Sequence, residues 1–307
     1  MGFRETQPNI VKHTVVIPTK DRPNLLRRAV GSALAGLAQG GEVLVIDDHS
    51  QTEAKKTLRQ VHDPRLRILC VPAGQTGVSA ARNFGIAQAR GDVIFFLDDD
   101  DTLQPGYCAH VLREGAMGHD YGFSSVFQAT CKQGKPRLKT ARFAQGTIPS
   151  AAGLGRKLCG FGMGFWIWRH VVFQMGPIRQ DLSINEDTEY LCRLISKGRK
   201  GWYSELPGVV VWDHSGGTPG DLGHLTRRAS AAERARCMSI LCETYPTMAS
   251  YLGRGYLRHC LKAGTYQQMR QFIVGLQSWR MRAAMLRFAL VKGVAYSATG
   301  RLGRLAA

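Results

Sequence analysis

Between residues 13 and 98, short apolar runs alternate with amphipathic stretches. "HTVVIPT" (13–19) is a β-branched run with Pro18 near its end, and "NLLRRAVGSALAG" (24–36) has helical spacing through Leu25, Leu26, Ala29 and Leu34. "EVLVIDD" (42–48) reads as a second strand, "EAKKTLRQVH" (53–62) as a polar helix and "RLRILCV" (65–71) as a third strand. "VSAARNFGIAQARG" (78–91) follows as a helix, with Ser79 near its start and Gly91 at its end, and "DVIFFLD" (92–98) as a fourth strand. The alternation predicts an α/β fold, a mostly parallel sheet flanked by helices. Such sheets bind ligands beyond the carboxyl ends of their strands. Those ends carry Thr19–Arg22, Asp47–Ser50 and Asp98–Asp101, so three polar clusters are expected on one rim.

After residue 105 the rhythm loosens. The pattern predicts a hairpin around Gly134 within 123–143, a Gly-rich then strand-like stretch over 160–173, a helix beginning within 184–198 and a strand in 202–217. Helices follow over 225–244, 251–262, 265–276 and 277–292. The chain has no internal repeat and neither a G-x-G-x-x-G nor a G-x-x-x-x-G-K-[ST] motif, which weighs against dinucleotide and P-loop sites.

Length and composition suit one large domain with an appendage, or two modest domains. The eight cysteines have no C-x-x-C or zinc-ligand spacing and read as reduced thiols of a cytosolic protein. The polar start, MGFRETQPNIVKH, lacks the apolar segment of a signal peptide. No apolar run reaches the roughly 18 residues of a membrane span, so a soluble or peripheral protein is expected. The net charge of +18 is uneven: residues 221–307 hold 14 Lys and Arg against Asp221, Glu233 and Glu243, a net of +11. Such a tail suits an anionic partner.

The fourth strand ends in "LDDDD", four adjacent carboxylates that repel unless water or a cation stands among them. "VVIPTKDRPNLLRRAVGSAL", "EVLVIDDHS", "TGVSAARNFGIAQARGDVIFFLDDDD" and "NEDTEYLCRLISKG" occur in that order over roughly 14–198. In these segments the chain resembles the inverting glycosyltransferases of family 2, whose GT-A fold binds nucleotide sugars. The resemblance implies a nucleoside-diphosphate sugar donor, UDP-linked, with Mn2+ or Mg2+ as cofactor; the motifs do not identify the sugar. It places Asp98 at the ribose and Asp100 at the metal, with Asp99 beside the nucleotide and Asp101 supporting the loop. Thr19, Asp21, Arg22 and Asp48 would surround the nucleobase, and Arg82 would lie near the nucleotide. Asp187 would be the base that deprotonates the acceptor hydroxyl, with Glu186 organising the acceptor side. His214 falls where relatives place a histidine near the metal or diphosphate. Asp47 suits a loop cap, and Trp166 and Trp168 fit either core packing or a stack on a sugar ring. "GFGMGFWIWR" follows the family's Gly-rich stretch only loosely.

On this reading 1–12 is a tail and 13–220 a GT-A domain, with 13–104 its nucleotide-binding half and 105–220 its acceptor half. Residues 221–307 form a basic helical C-terminal extension. The expected acceptor is a glycan or lipid-linked hydroxyl, in cell-surface polysaccharide synthesis. The expected location is cytoplasmic, peripheral on the inner face of the cytoplasmic membrane. Leu276, Trp279, Ala283, Leu286 and Leu290 make one helical stripe beside Arg280 and Arg287. That stripe fits either an anionic membrane surface or packing on the catalytic domain. A nucleotidyltransferase should carry a Gly-rich, basic phosphate loop after the first strand, which "IPTKDRPN" lacks. A non-enzymatic nucleic-acid binder would leave "LDDDD" and "NED" unexplained, and no nucleic-acid partner is expected.

Overall fold

A computed structural model describes residues 12–130, 133–139, 144–149, 151, 154, 160–213 and 229–300. The first half follows the predicted alternation: β1 (His13–Thr19), α1 (Pro23–Gly36), β2 (Gly41–Asp47), α2 (Ala54–Thr57), β3 (Leu66–Cys70), α3 (Val78–Gln88) and β4 (Val93–Phe96). These strands run parallel in the order β3-β2-β1-β4. β1 is buried along its whole length, as expected of a parallel strand covered on both faces. Gly85 lets α3 lie close on the sheet, because a Cβ there would come within 2.6 Å of Val16. The helix expected over 53–62 shrinks to the single turn of α2. That stretch buries Ala54, Thr57 and Leu58 but has no longer apolar stripe to hold further turns against the sheet.

The sheet then turns mixed. β5 (Thr102–Leu103), α4 (Tyr107–His110), β6 (Tyr121–Thr130), β7 (Gln133–Lys139), β8 (Gly146–Thr147), β9 (Trp166–Trp168) and α5 (Arg169–Met175) follow. β9 pairs antiparallel with both β4 and β6, continuing the sheet across the chain's midpoint. β6 and β7 form the expected hairpin, with Gly134 inside β7 rather than in the turn. Next come α6 (Glu186–Ser196) and β10 (Gly201–Asp213), which pairs parallel with β6 and antiparallel with β5 and β8. Trp166 is fully buried in the core, and Trp168 donates its indole N–H to the Ala116 carbonyl at 3.1 Å. Core packing is therefore the role both tryptophans take.

The remaining elements are α7 (Ala231–Thr244), α8 (Ala249–Ala263), α9 (Tyr266–Gly275) and α10 (Trp279–Ala298). The chain divides into two compact units, 1–180 with 197–221, and 181–196 with 222–307. α6 therefore groups with the C-terminal helices, not with the sheet. Within this second unit Glu189 of α6 accepts from Tyr245 at 2.6 Å and pairs with Arg193 one turn on. No helix among the described residues is long and apolar enough to cross a membrane. None of the described cysteines forms a disulfide, and five of the six are buried.

Candidate active site

The rim begins where three parallel strands stop. The Asp48 N–H donates to the Thr19 carbonyl at 2.9 Å, and the Leu97 N–H to the Val16 carbonyl at 3.1 Å, so the chain leaving β2 and β4 stays pinned to β1. Asp21 and His49, just past β1 and β2, hold left-handed φ values of 54° and 56°. That conformation is costly for non-glycine residues, and it concentrates at functional sites. The loops brace each other: the Gln51 N–H donates to Asp21 Oδ1 at 2.6 Å and the Asp21 N–H to Ser50 Oγ at 2.9 Å. Asp47 caps its own loop, accepting from the N–H groups of Ser50 and Ala54 at 2.9 and 2.7 Å.

Asp48 is half satisfied. Its Oδ2 accepts from Lys20 Nζ at 3.2 Å, Thr76 Oγ1 at 3.2 Å and the Gly77 N–H at 3.0 Å. Its Oδ1 is buried without a hydrogen-bond partner among the described residues. An orphaned buried acceptor costs about 1–3 kcal/mol, which a ligand N–H would recover. A separate cavity of about 470 Å³, which Asp48 does not line, is bordered by Asp47, His49, Ser50, Ile68 and Cys70 among others.

The four aspartates divide by partner. Asp99 accepts from Thr19 Oγ1 at 2.7 Å and from Arg22 Nη1 at 2.9 Å, one contact on each oxygen, and so ties the end of β4 to that of β1. The same Arg22 nitrogen reaches Asp100 Oδ2 at 3.0 Å. Buried Arg82 of α3 donates to Asp98 Oδ1 at 2.8 Å while its guanidinium lies over the Phe161 ring. Asp101 Oδ1 accepts from the Trp212 N–H at 3.1 Å, and Arg28 bridges the Asp100 carbonyl to the Trp212 ring face. Carboxylate oxygens of Asp98, Asp100 and Asp101 lie within 4.8 Å of one another.

That triad is electrostatically uncomfortable as it stands. Burial, reinforced by the charges of Asp98 and Asp100, pushes the Asp101 carboxyl well above the ordinary range. Burial raises Asp99 to about 6, with Arg22 opposing and Asp100 adding to the rise. A divalent cation among the three oxygens would invert this balance. An all-carboxylate donor set suits a hard ion such as Mg2+ or Mn2+. The residues present therefore fit the metal implied by the sequence. Asp101, expected only to support the loop, has a carboxylate oxygen within this same cluster.

Glu186 and Asp187 open α6 in the second unit, directly after Asn185, the third non-glycine residue with positive φ, at 63°. Asp187 Oδ1 accepts from the Thr188 N–H at 2.6 Å. His214 lies outside the described residues. Sequence reading missed Lys20, Arg28, Trp212 and Gly162. A Cβ on Gly162 would stand 2.9 Å from Asp98 Oδ2 and 3.4 Å from Asp101 Oδ2, so this glycine leaves room beside the acidic triad. Its signal was the Gly-rich run 160–164.

The architecture is similar to solved TarS structures from S. aureus. The form spanning 1–349 in complex with UDP-GlcNAc superposes with a TM-score of 0.63 at 13% identity, covering 90% of this chain and 79% of that one. Among curated proteins, the succinoglycan biosynthesis protein ExoO of Rhizobium meliloti is 37% identical over 142 residues, which is 45% of this chain and 40% of ExoO. The GalNAc(5)-diNAcBac-PP-undecaprenol beta-1,3-glucosyltransferase of Campylobacter jejuni is 29% identical over 116 residues, 37% of this chain and 38% of that protein. These alignments thus span well under half the length of either relative. The model of Glycosyl transferase family 2 matches residues 14–172, more than half of the chain and nearly all of the stretch from β1 to α5 that builds the rim. The chain belongs to glycosyl transferase family 2.

Proposed function

We propose that this protein transfers a sugar, with inversion, from a UDP-linked donor to a hydroxyl of a glycan or lipid-linked acceptor in polysaccharide synthesis. The observation that carries the reading is the pairing on one rim of the orphaned Asp48 Oδ1 with the Asp98–Asp100–Asp101 carboxylates. The first suits the imide N–H of uracil, and the second suits a cation bound with a diphosphate. TarS has been solved with UDP-GlcNAc, and the Campylobacter relative is named for glucosyl transfer to an undecaprenol-linked glycan, which supports donor and acceptor classes.

In this mechanism Asp48, with Thr19, Asp21 and Arg22 framing its loop, orients the base. Asp98, held by Arg82, faces the ribose side, and Asp99 fixes the strand end through Thr19 and Arg22. Asp98, Asp100 and Asp101 would hold the cation, with His214 as a further ligand. A bound Mn2+ or Mg2+ supplies charge neutralisation at the departing diphosphate. Asp187 takes the proton of the acceptor hydroxyl as that oxygen bonds to the anomeric carbon and the bond to the diphosphate breaks, with Glu186 organising the acceptor. The assignment of these two acids rests on the N-E-D motif and their place at the start of α6. Seating on an anionic membrane through 221–307 would bring a lipid-linked acceptor within reach.

A screen of UDP-sugars for Mn2+-dependent hydrolysis tests the reading, with transfer to added acceptors as the second stage. Release of UDP from at least one donor, abolished by chelation, is expected. Absence of nucleotide-sugar binding across the panel would overturn it.

A further inference from the structure

α10 has two apolar faces. Met281, Met285, Phe288 and Ala289 pack inward against the cluster of Ala249, Leu257 and Leu276 within the second unit. At about 100° per residue, the opposite arc carries Trp279, Leu286, Leu290, Val291 and Val294. These five side chains are 51–72% exposed. Most of the apolar stripe read from the sequence is therefore the outward face, while Leu276 alone among its large residues is buried in the cluster. The choice between packing and surface exposure is made by the inward row, which already holds the helix to its own unit.

Five large apolar groups over about 22 Å of helix form more than scattered surface exposure. Arg280 and Arg287 lie in the same arc, with the Arg280 guanidinium 5.6 Å from the Trp279 ring centroid. Arg282 stands exposed on its flank. No acidic residue follows Glu243 in the chain. A second copy docked face to face would set arginines against arginines. A bilayer with anionic headgroups meets both features, since the aliphatic side chains and Trp279 enter the headgroup boundary while the arginines meet phosphates.

We propose that this outward face of α10 is a docking surface for anionic lipid, with Trp279, Leu286 and Leu290 inserting and Arg280 and Arg287 pairing with headgroups. The proposal rests on the membrane seat in the functional reading above and deepens it by identifying the residues that make it.

Flotation of the full chain with phosphatidylglycerol–phosphatidylcholine vesicles in equal parts, and with phosphatidylcholine vesicles alone, tests it. The wild type is expected to float with the anionic vesicles only. The exposed double variant Leu286→Asp/Leu290→Asp should lose binding by about tenfold or more. Arg280→Gln/Arg287→Gln should weaken it by about tenfold and flatten its salt dependence. Unchanged flotation of the aspartate variant, equal binding to neutral vesicles, or a wild-type dimer that this variant dissociates without any vesicle binding would overturn the proposal. UDP-sugar hydrolysis is measured in parallel and should be unaffected by these variants. A wild type that floats without hydrolysing any donor counts against the catalytic reading, and one that hydrolyses donor without floating counts against this surface.

Discussion

The two edges of one parallel sheet treat buried carboxylates in opposite ways. At the amino-terminal edge, Glu42 accepts from Thr14 Oγ1 at 2.8 Å, the Arg90 N–H at 2.8 Å and Arg67 Nη1 at 3.0 Å. Burial pulls its carboxyl upward, but those hydrogen bonds and the Arg67 charge outweigh it and leave it below the usual range. At the carboxyl-terminal edge, Asp99 and Asp101 are held above that range by burial and by neighbouring aspartates, despite Arg22 beside the first and Arg28 beside the second. Among the described residues, one edge gives its carboxylate enough donors to hold it below the usual range, and the other leaves two carboxyls above it. A charge completed by the chain is a structural element, whereas one left in deficit would be relieved by a bound cation.

The comparison breaks most severely if Asp100→Ala retains transfer. Loss of a metal ligand should cost about a thousandfold in kcat with the fold intact by circular dichroism. Asp187→Asn should lose about a hundredfold or more in kcat while UDP affinity stays unchanged. At the other edge, Glu42→Ala should cost about 2 kcal/mol in chemical denaturation, because it removes the acceptor shared by the Thr14 hydroxyl, the Arg90 N–H and Arg67, yet leave kcat of the folded protein unchanged. Asp101→Asn keeps an acceptor for the Trp212 N–H and removes one repelling charge. It should therefore raise metal-free stability by about 1 kcal/mol while abolishing stabilisation by Mn2+.

The smallest effect expected is on acid sensitivity. A carboxyl lowered by folding contributes stability that is present above its unfolded value of 4.5 and is lost as pH falls through the lower folded value. Glu42→Gln should flatten that acid limb in thermal melts, and an unaltered limb would show that the Glu42 network contributes nothing. In the helical unit, His259 is depressed to about 4 by burial and by Arg234, Lys262 and Arg258. Its contribution is likewise present above the ordinary value of 6.5 and is lost as pH falls toward 4. His259→Leu should lessen acid destabilisation of that unit, measured by hydrogen exchange.

The parallel half was legible because its signals are local. Each run from β1 to β4 has its own period, and each strand ends at polar residues that the parallel topology must bring together. The three polar clusters of the rim could be read for that reason, whereas singling out Asp48, Asp98 and Asp100 within them took the family resemblance. Arg28 could not be read, because it meets the aspartates only through tertiary closure, as α1 reaches back over the end of β4; Gly162 showed only as part of a Gly-rich run, whose place beside Asp98 depends on the same closure. Asp101 gave no separate signal within a run of identical residues, and its place in the triad depends on Trp212 of β10. For α10 the sequence showed the apolar stripe, but what covers a stripe depends on the rest of the unit.

The most direct measurement is calorimetric titration of UDP into the metal-free wild type and Asp100→Ala, each with and without Mn2+. If the acidic edge is a cation site, Mn2+ should tighten UDP binding at least about tenfold in the wild type, with no such gain in the variant. Equal UDP affinity with and without Mn2+ in the wild type, or an undiminished Mn2+ effect in Asp100→Ala, would contradict it.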